Sequence, residues 1–475
     1  MPIDSDTRAG LKTLLIKAAR EHEDRLKREP PNYLPKHWFW HKLEKWDNGQ
    51  PRFVNTNHDD DAPPDYSRAF QHKQGTVVSD EAKACSDFVR SDDALVKRWL
   101  RFFEGIDVLS EEHVDMVDKV LPALVQALPG DLVDFCRHSG GVTDEALQRA
   151  ADLYLAYLFD DHLRGDIWVP ILFCGFDTDT HQLSESVEIQ RIPEDVQLAR
   201  ASISTPGLGA NDCVVSCATH ALVFTDCFVK NRNDRGPRSV LGERAAYPRP
   251  IIETFFAALR ACTCISTGYP QMFMVANGWV SHFKAHLPTV AGVSVREYPV
   301  RFDDFWWLVE SVPTVGETVL DDVTALFSDL MTLKNKALQL ACKRLNQCSL
   351  RSDEEDSVLD ATIGLEALLN DGKHEMTHKI ALRIAALFGL NDPKAERSEV
   401  FRQMKKIYEF RSAIAHGSAR LEKKREIKLT EETVAPAVQI ATDFLRKAIR
   451  ILAQNPQFLD PPRIDSELLL GPSRR

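Results

Sequence analysis

Beyond Gly316 the chain is written in helical periods almost to its end, and that run constrains the fold more than any other feature. Apolar residues recur at helical spacing over about 320–347, 353–370, 375–389, 397–416 and 431–453. Between them stand the breakers Asp371-Gly372, Asn391-Asp392-Pro393 and Gly417. The pattern predicts a five-helix bundle. Ser352 ahead of Asp353-Glu354-Glu355-Asp356 reads as an N-cap followed by an acidic first turn, where the helix dipole favours negative charge. That acidic run is therefore a helix start rather than a metal site.

The earlier part of the chain has a different texture. Leu11, Leu14, Leu15 and Ala18 mark an amphipathic helix within residues 1–30, ending before Pro30-Pro31. Helical patterning returns from Ser79 to Arg137, and Ser139-Gly140-Gly141 with Thr143 marks a break and a new helix start, running to about Leu163. At Ile167 the period drops to two: Ile167–Phe173, Val187–Ile192 and Ala221–Phe224 are short β-type runs separated by polar or Pro/Gly turns. The expectation is a multidomain α+β protein with an α-rich region over 1–165, an α+β domain over 166–316, the helical bundle over 317–455 and a loose, Pro-rich tail over 456–475. The aromatic and basic stretch Tyr33–Trp40 with Trp46 suits either anchoring onto a core or base stacking.

Composition limits the function classes. With 44% hydrophobic and 27% charged residues, the 475-residue chain has ordinary globular usage. Its net charge of −11 gives no bulk attraction for polyanions, so any nucleic acid must meet a local basic site. Residues 318–455 are the relatively basic part. There Lys405, Lys406, Arg420, Lys423, Lys424, Arg425 and Lys428 crowd into one short window, as a solvated face or as an RNA-binding patch. Ten cysteines are too sparse for a disulfide scaffold, and the start Met1-Pro2-Ile3-Asp4-Ser5-Asp6 has neither a basic nor an apolar leader region, so a cytoplasmic location is expected. The longest apolar candidate, Ile251 to Val280, is interrupted by Glu253, Arg260, Pro270 and Asn277, which excludes a spanning helix there.

Two charges fall on apolar helical faces. In Tyr408-Glu409-Phe410-Arg411-Ser412-Ala413-Ile414-Ala415-His416-Gly417, Arg411 lies at the centre of a stripe formed by Val400, Met404, Ile407, Ile414 and Ala415. Glu366 shares the face of Leu359, Ile363 and Leu369. Opposite charges on two such faces predict an Arg411–Glu366 pair, either structural or facing a functional cleft. His416 follows at the helix end, where the dipole favours imidazolium and a proton exchanged near neutral pH. Arg411 and His416 are about 140° apart in rotation, so a cleft using both is easier to build across two helices, and a two-fold axis would line one groove with two of each.

The runs Val358–Leu369, Lys379–Ala385 and Ile407–Gly417 resemble the Apea-like branch of the HEPN superfamily, over about 320–455. The resemblance implies a metal-independent endoribonuclease, used as an anti-phage, abortive-infection or toxin effector and active as a homodimer through the HEPN domain. It implies Arg411 and His416 as the catalytic pair, Glu366 as the acidic residue orienting the arginine, and Ser412 and Tyr408 as supporting residues. Ser412 departs from the Asn, Asp or His that many such nucleases carry directly after the arginine. RNA, tRNA included, would be the substrate, with a phage-derived trigger, no cofactor and no membrane. Attack of a 2′-hydroxyl on the adjacent phosphorus needs proton transfer, which suits His416, and charge stabilisation, which suits Arg411. The products would carry 2′,3′-cyclic phosphate and 5′-hydroxyl ends, and DNA would be inert. The alternative is a non-catalytic HEPN module binding nucleotide or protein partners.

Two other motifs compete. His374-Glu375-Met376-Thr377-His378 is a formal H-E-x-x-H of zinc metalloproteases, although Asp371-Gly372 puts His374 at the very start of its helix. Cys213, Cys217, His220 and Cys227 have a zinc-like spacing, but their alternating apolar context reads as strand-borne cysteines in a core.

Overall fold

The computed structural model describes residues 5–38, 40–56, 62–72, 75–76, 78–101, 116–203, 211–232, 235–372, 376–416, 422–429 and 433–471. They form a mixed α/β protein around a six-stranded antiparallel sheet. Across the sheet the strands run Val290–Glu297, Tyr269–Ala276, His162–Leu172, Ala218–Lys230, Val187–Arg191 and Thr180–Ser184. Trp168 pairs with Phe273 on one side and with Val223 on the other, so the Ile167 run is central and its alternation buries both faces. Ile167, Val169 and Ile171 enter one core, while Trp168 and Leu172 enter a second with Phe302 and Trp307.

The first of these cores continues into the C-terminal helices. Phe255, Phe256 and Leu259 of the Arg249–Thr263 helix pack in the same cluster as Leu326, Leu345, Leu365, Ile407 and Leu445. Buried Arg260 joins the two layers, donating to Asn346 Oδ1 and to the Thr267 carbonyl, each at 2.6 Å. At Gly364 a Cβ would stand 2.9 Å from the Leu445 methyls, so a larger residue there would force Leu445 to shift within the core. The N-terminal helices, including Ser5–Arg28, Leu121–His138 and Asp144–Phe159, have a core of their own built on Leu11, Leu15, Leu128, Leu132 and Leu155. Thr143 caps the last of them, accepting from the Ala146 N–H.

Several sequence expectations change. The bundle has six helices rather than five among the described residues: Glu317–Thr332, Lys336–Leu350, Glu354–Leu369, Met376–Asn391, Arg397–Ala415 and Ala437–Gln454. The expected 320–347 helix splits because Leu333 turns to extended backbone and Asn335 caps a new helix, accepting from the Leu338 N–H. The 431–453 helix starts only at Ala437, after Val434–Pro436 pairs with Glu426–Lys428. Asp353, not Ser352, is the N-cap, accepting from the Glu355 and Asp356 N–H groups. The tail expected to be loose packs down: Phe458 and Ile464 are buried, and Asp465 takes two hydrogen bonds from Arg383. Cys213 sits on the short Asp212–Ser216 helix rather than on a strand. No helix of the described residues is long and apolar enough to cross a membrane.

Candidate functional site

Helix Arg397–Ala415 buries Met404, Ile407, Tyr408, Phe410 and Ala413. That face is rotated from the expected stripe: Ala415 is exposed, and Arg411 lies at the border with its side chain 33% exposed. The border position brings its guanidinium to Glu366 on the neighbouring Glu354–Leu369 helix, Nη2 to Oε1 at 3.7 Å. The same Glu366 oxygen accepts from Tyr408 Oη at 3.2 Å. Tyr408 is one turn before Arg411, so both reach one carboxylate. Burial, and then the adjacent Glu366 carboxylate, push the Tyr408 phenol up, which keeps it protonated as a donor.

Arg411 is held but not used up. At 3.7 Å the pair is electrostatic rather than a hydrogen bond; Arg411 Nε is buried without a partner among the described residues, so the donors open to a ligand are the Nη groups of the 33% exposed side chain. A guanidinium offers five N–H donors, so it retains capacity for a bidentate oxyanion. His416 caps the helix, its N–H donating to the Ser412 carbonyl at 3.1 Å, and its side chain is exposed, as is that of Ser412. Gly417 and Arg420 lie outside the described residues.

The basic window divides into spare and spent charges. Arg425 is engaged with Glu354, Glu355 and Glu422 at 3.2, 2.8 and 3.1 Å. Lys406 pairs with Glu409 at 2.9 Å, and Lys424 donates to the Glu409 carbonyl at 3.2 Å. Lys405 and Lys423 are exposed, Lys405 lying over the Phe401 ring. Arg425, offered by the sequence as an RNA contact, fastens the loop to the Glu354–Leu369 helix through these pairs.

Among the described residues Cys213, Cys217, His220 and Cys227 do not come together as a group of metal ligands. His374 and Glu375 lie outside the described residues, and exposed His378 stands edge-on to Phe401. Cys217 is buried and its thiol, pushed up to about 12 by burial, donates to the Cys213 carbonyl. His220, lowered to about 4 chiefly by burial, bonds Thr219 and the Thr178 carbonyl.

A second polar cluster was missed in the sequence. His37, Asp134 and His138 converge in the N-terminal helical region. Burial pushes the Asp134 carboxyl up, but hydrogen bonds from His138 and His37 outweigh it and hold it at about 2. His138 is raised in turn by its bond to Asp134. Nearby Asp131 is pushed up to about 8 by burial and by the Asp65 and Asp134 charges. The one local signal was Asp134-x3-His138, which puts two ligand-type side chains on one helical face. Compared with protein-family models, with curated proteins and with solved structures, the chain finds no match.

Proposed function

We infer that the C-terminal bundle is a HEPN-type endoribonuclease that cleaves RNA without a metal by attack of the substrate's own 2′-hydroxyl. The observation that carries this reading is the unspent Arg411 guanidinium, positioned by Glu366 and Tyr408 on the helix that ends in exposed His416. Arg411 binds the phosphoryl oxygens and stabilises the charge that develops on them. Glu366 fixes its orientation. His416 moves protons between the 2′-hydroxyl, the leaving 5′-oxygen and solvent. The rotation between Arg411 and His416 favours a groove completed by a second copy, so the working unit is a homodimer through the bundle. The role in anti-phage defence, with a phage-derived trigger, rests on the family resemblance alone.

The test is cleavage of total cellular RNA by the full chain with EDTA present, followed by analysis of the ends. Cleavage leaving 2′,3′-cyclic phosphates and abolished in both Arg411→Ala and His416→Ala supports the reading. Cleavage unchanged by His416→Ala overturns it and favours a binding module; cleavage stopped by EDTA while the chain stays folded, in wild type and in a His37→Asn/His138→Asn variant alike, overturns it in favour of metal chemistry at the bundle.

A further inference from the structure

The reading above leaves the N-terminal helical region without a task, yet that region holds the tightest group of metal-ligating side chains among the described residues. His37, Asp134 and His138 bring one ligand atom each within 4.8 Å of one another. His37 Nε2 stands 2.9 Å from Asp134 Oδ2, and His138 Nε2 stands 3.5 Å from Asp134 Oδ1. Zinc bound at about 2.0–2.2 Å with tetrahedral angles separates its ligand atoms by about 3.3–3.6 Å. Both Asp134 distances are within a few tenths of an ångström of that spacing, and His37 and His138, within 4.8 Å of each other, would close by up to about an ångström through side-chain rotation to admit the ion.

The three groups are held in place by separate parts of the chain. Asp134 and His138 lie one turn apart on the Leu121–His138 helix. His37 is delivered by a short antiparallel bridge between Lys36 and Pro64, closed by the His37 N–H to the Pro63 carbonyl at 3.0 Å and the Asp65 N–H to the Pro35 carbonyl at 2.7 Å. The Tyr66 N–H donates to Asp134 Oδ1 at 2.8 Å, the kind of outer contact that aims a ligating carboxylate. Without metal, His138 Nε2–H donates to the Pro64 carbonyl at 2.8 Å, so an ion bound at this nitrogen displaces that proton and hydrogen bond.

His37 and Asp134 also line a cavity of about 950 Å³. Three protein ligands, two of them lining the cavity, leave a coordination position for water, the arrangement of catalytic rather than closed structural zinc sites. Two imidazoles and one carboxylate suit a borderline transition-metal dication, whereas magnesium and calcium prefer all-oxygen sets. We propose that His37, Asp134 and His138 bind one zinc-class divalent metal ion whose open position faces this cavity. Neither the ion nor the cavity enters the RNA-cleaving reading, so the two proposals stand or fall separately.

The experiment uses the full chain, stripped with chelator, desalted and titrated with zinc buffered by a chromophoric chelator, with bound metal counted by mass spectrometry. One zinc per chain is expected. The His37→Asn/His138→Asn double variant, which keeps polar side chains but shortens both ligands, is expected to bind at least about 100-fold more weakly, since even outer contacts cost 10–100-fold. Wild type that takes up no zinc, or a folded double variant that binds it equally well, overturns the site and leaves a hydrogen-bonded triad. Should the double variant fail to fold, cobalt(II) added to wild type decides the matter. Visible bands of a nitrogen and oxygen site without thiolate charge transfer support the proposal; a thiolate band places the metal on cysteines and overturns it.

Discussion

Two carboxylates, Glu366 in the bundle and Asp134 in the N-terminal helices, each gather cationic or hydrogen-bonding partners, and they do it in opposite ways. Glu366 is 18% exposed, takes one hydrogen bond from Tyr408, and holds Arg411 at a distance that leaves most of the guanidinium's donors unspent. Asp134 is 2% exposed and accepts from His37 and the Tyr66 N–H, with His138 alongside. The difference separates a guanidinium left available at a partly exposed border from a buried carboxylate that, without metal, is occupied by protein donors. Removing a member of the first should cost activity and little stability. Removing the centre of the second should cost stability first.

The sharpest break of this contrast is Arg411→Ala. We expect RNA cleavage to fall by about 10²–10⁴-fold, the range for losing a positioned charge-stabilising or proton-transferring group. Unfolding free energy should move by less than about 1 kcal/mol, because a partly exposed pair contributes little. Urea melts and single-turnover cleavage on the same preparation check both. A loss of several kcal/mol would make the pair a structural one and remove the contrast.

Asp134→Ala is the mirror case, measured on metal-free protein. Its removal strands two half-buried imidazoles and the Tyr66 N–H, and should cost about 2–4 kcal/mol in a denaturant melt. Glu366→Ala should cost about 1 kcal/mol or less. Equal costs would show that the exposure difference has no energetic meaning here.

Asp131 sharpens the N-terminal side through pH. Its folded value of about 8 is far above the usual 3.8, so the folded protein keeps a proton that the unfolded chain has lost. That contribution to stability is lost as pH rises from the unfolded value through the folded one. Metal-free wild type should therefore weaken between about pH 5 and pH 9 by a few kcal/mol at most, and Asp131→Asn should flatten the profile. Melts across that range that are parallel for the two proteins would show that Asp131 is not the titrating group.

What the sequence revealed, and what it hid, follows from the range of the interactions. The apolar run Ile167–Phe173 announced a strand, which the structure buries on both faces, and Thr143 announced a helix start, because both signals are local. The Arg411–Glu366 pair was legible because each charge interrupted an apolar face, although Arg411 proved to sit at a border and not at a centre. The break at Leu333 was hidden by apolar periodicity that continues across it, despite the capping Asn335. Packing of Phe458 and Ile464 was hidden by prolines that read as a loose tail, while the partner of Asp465, Arg383, is distant in sequence. The His37–Asp134–His138 group depends on a contact between residues 97 positions apart, which no local pattern encodes.

The smallest effect separates spare from spent charge within the bundle itself. A lysine that meets a phosphate releases counterions, and for single strands each such contact changes the slope of log affinity against log salt by about 0.7. Lys405 and Lys423 are exposed, so Lys405→Ala and Lys423→Ala should each flatten the slope of RNA binding by about that amount. Arg425 already faces Glu354, Glu355 and Glu422, and Arg425→Ala should leave the slope unchanged. A flattened slope in Arg425→Ala would mean that RNA displaces three carboxylates to reach it. The division of the basic window by its ion pairs would then be the wrong guide to where the strand lies.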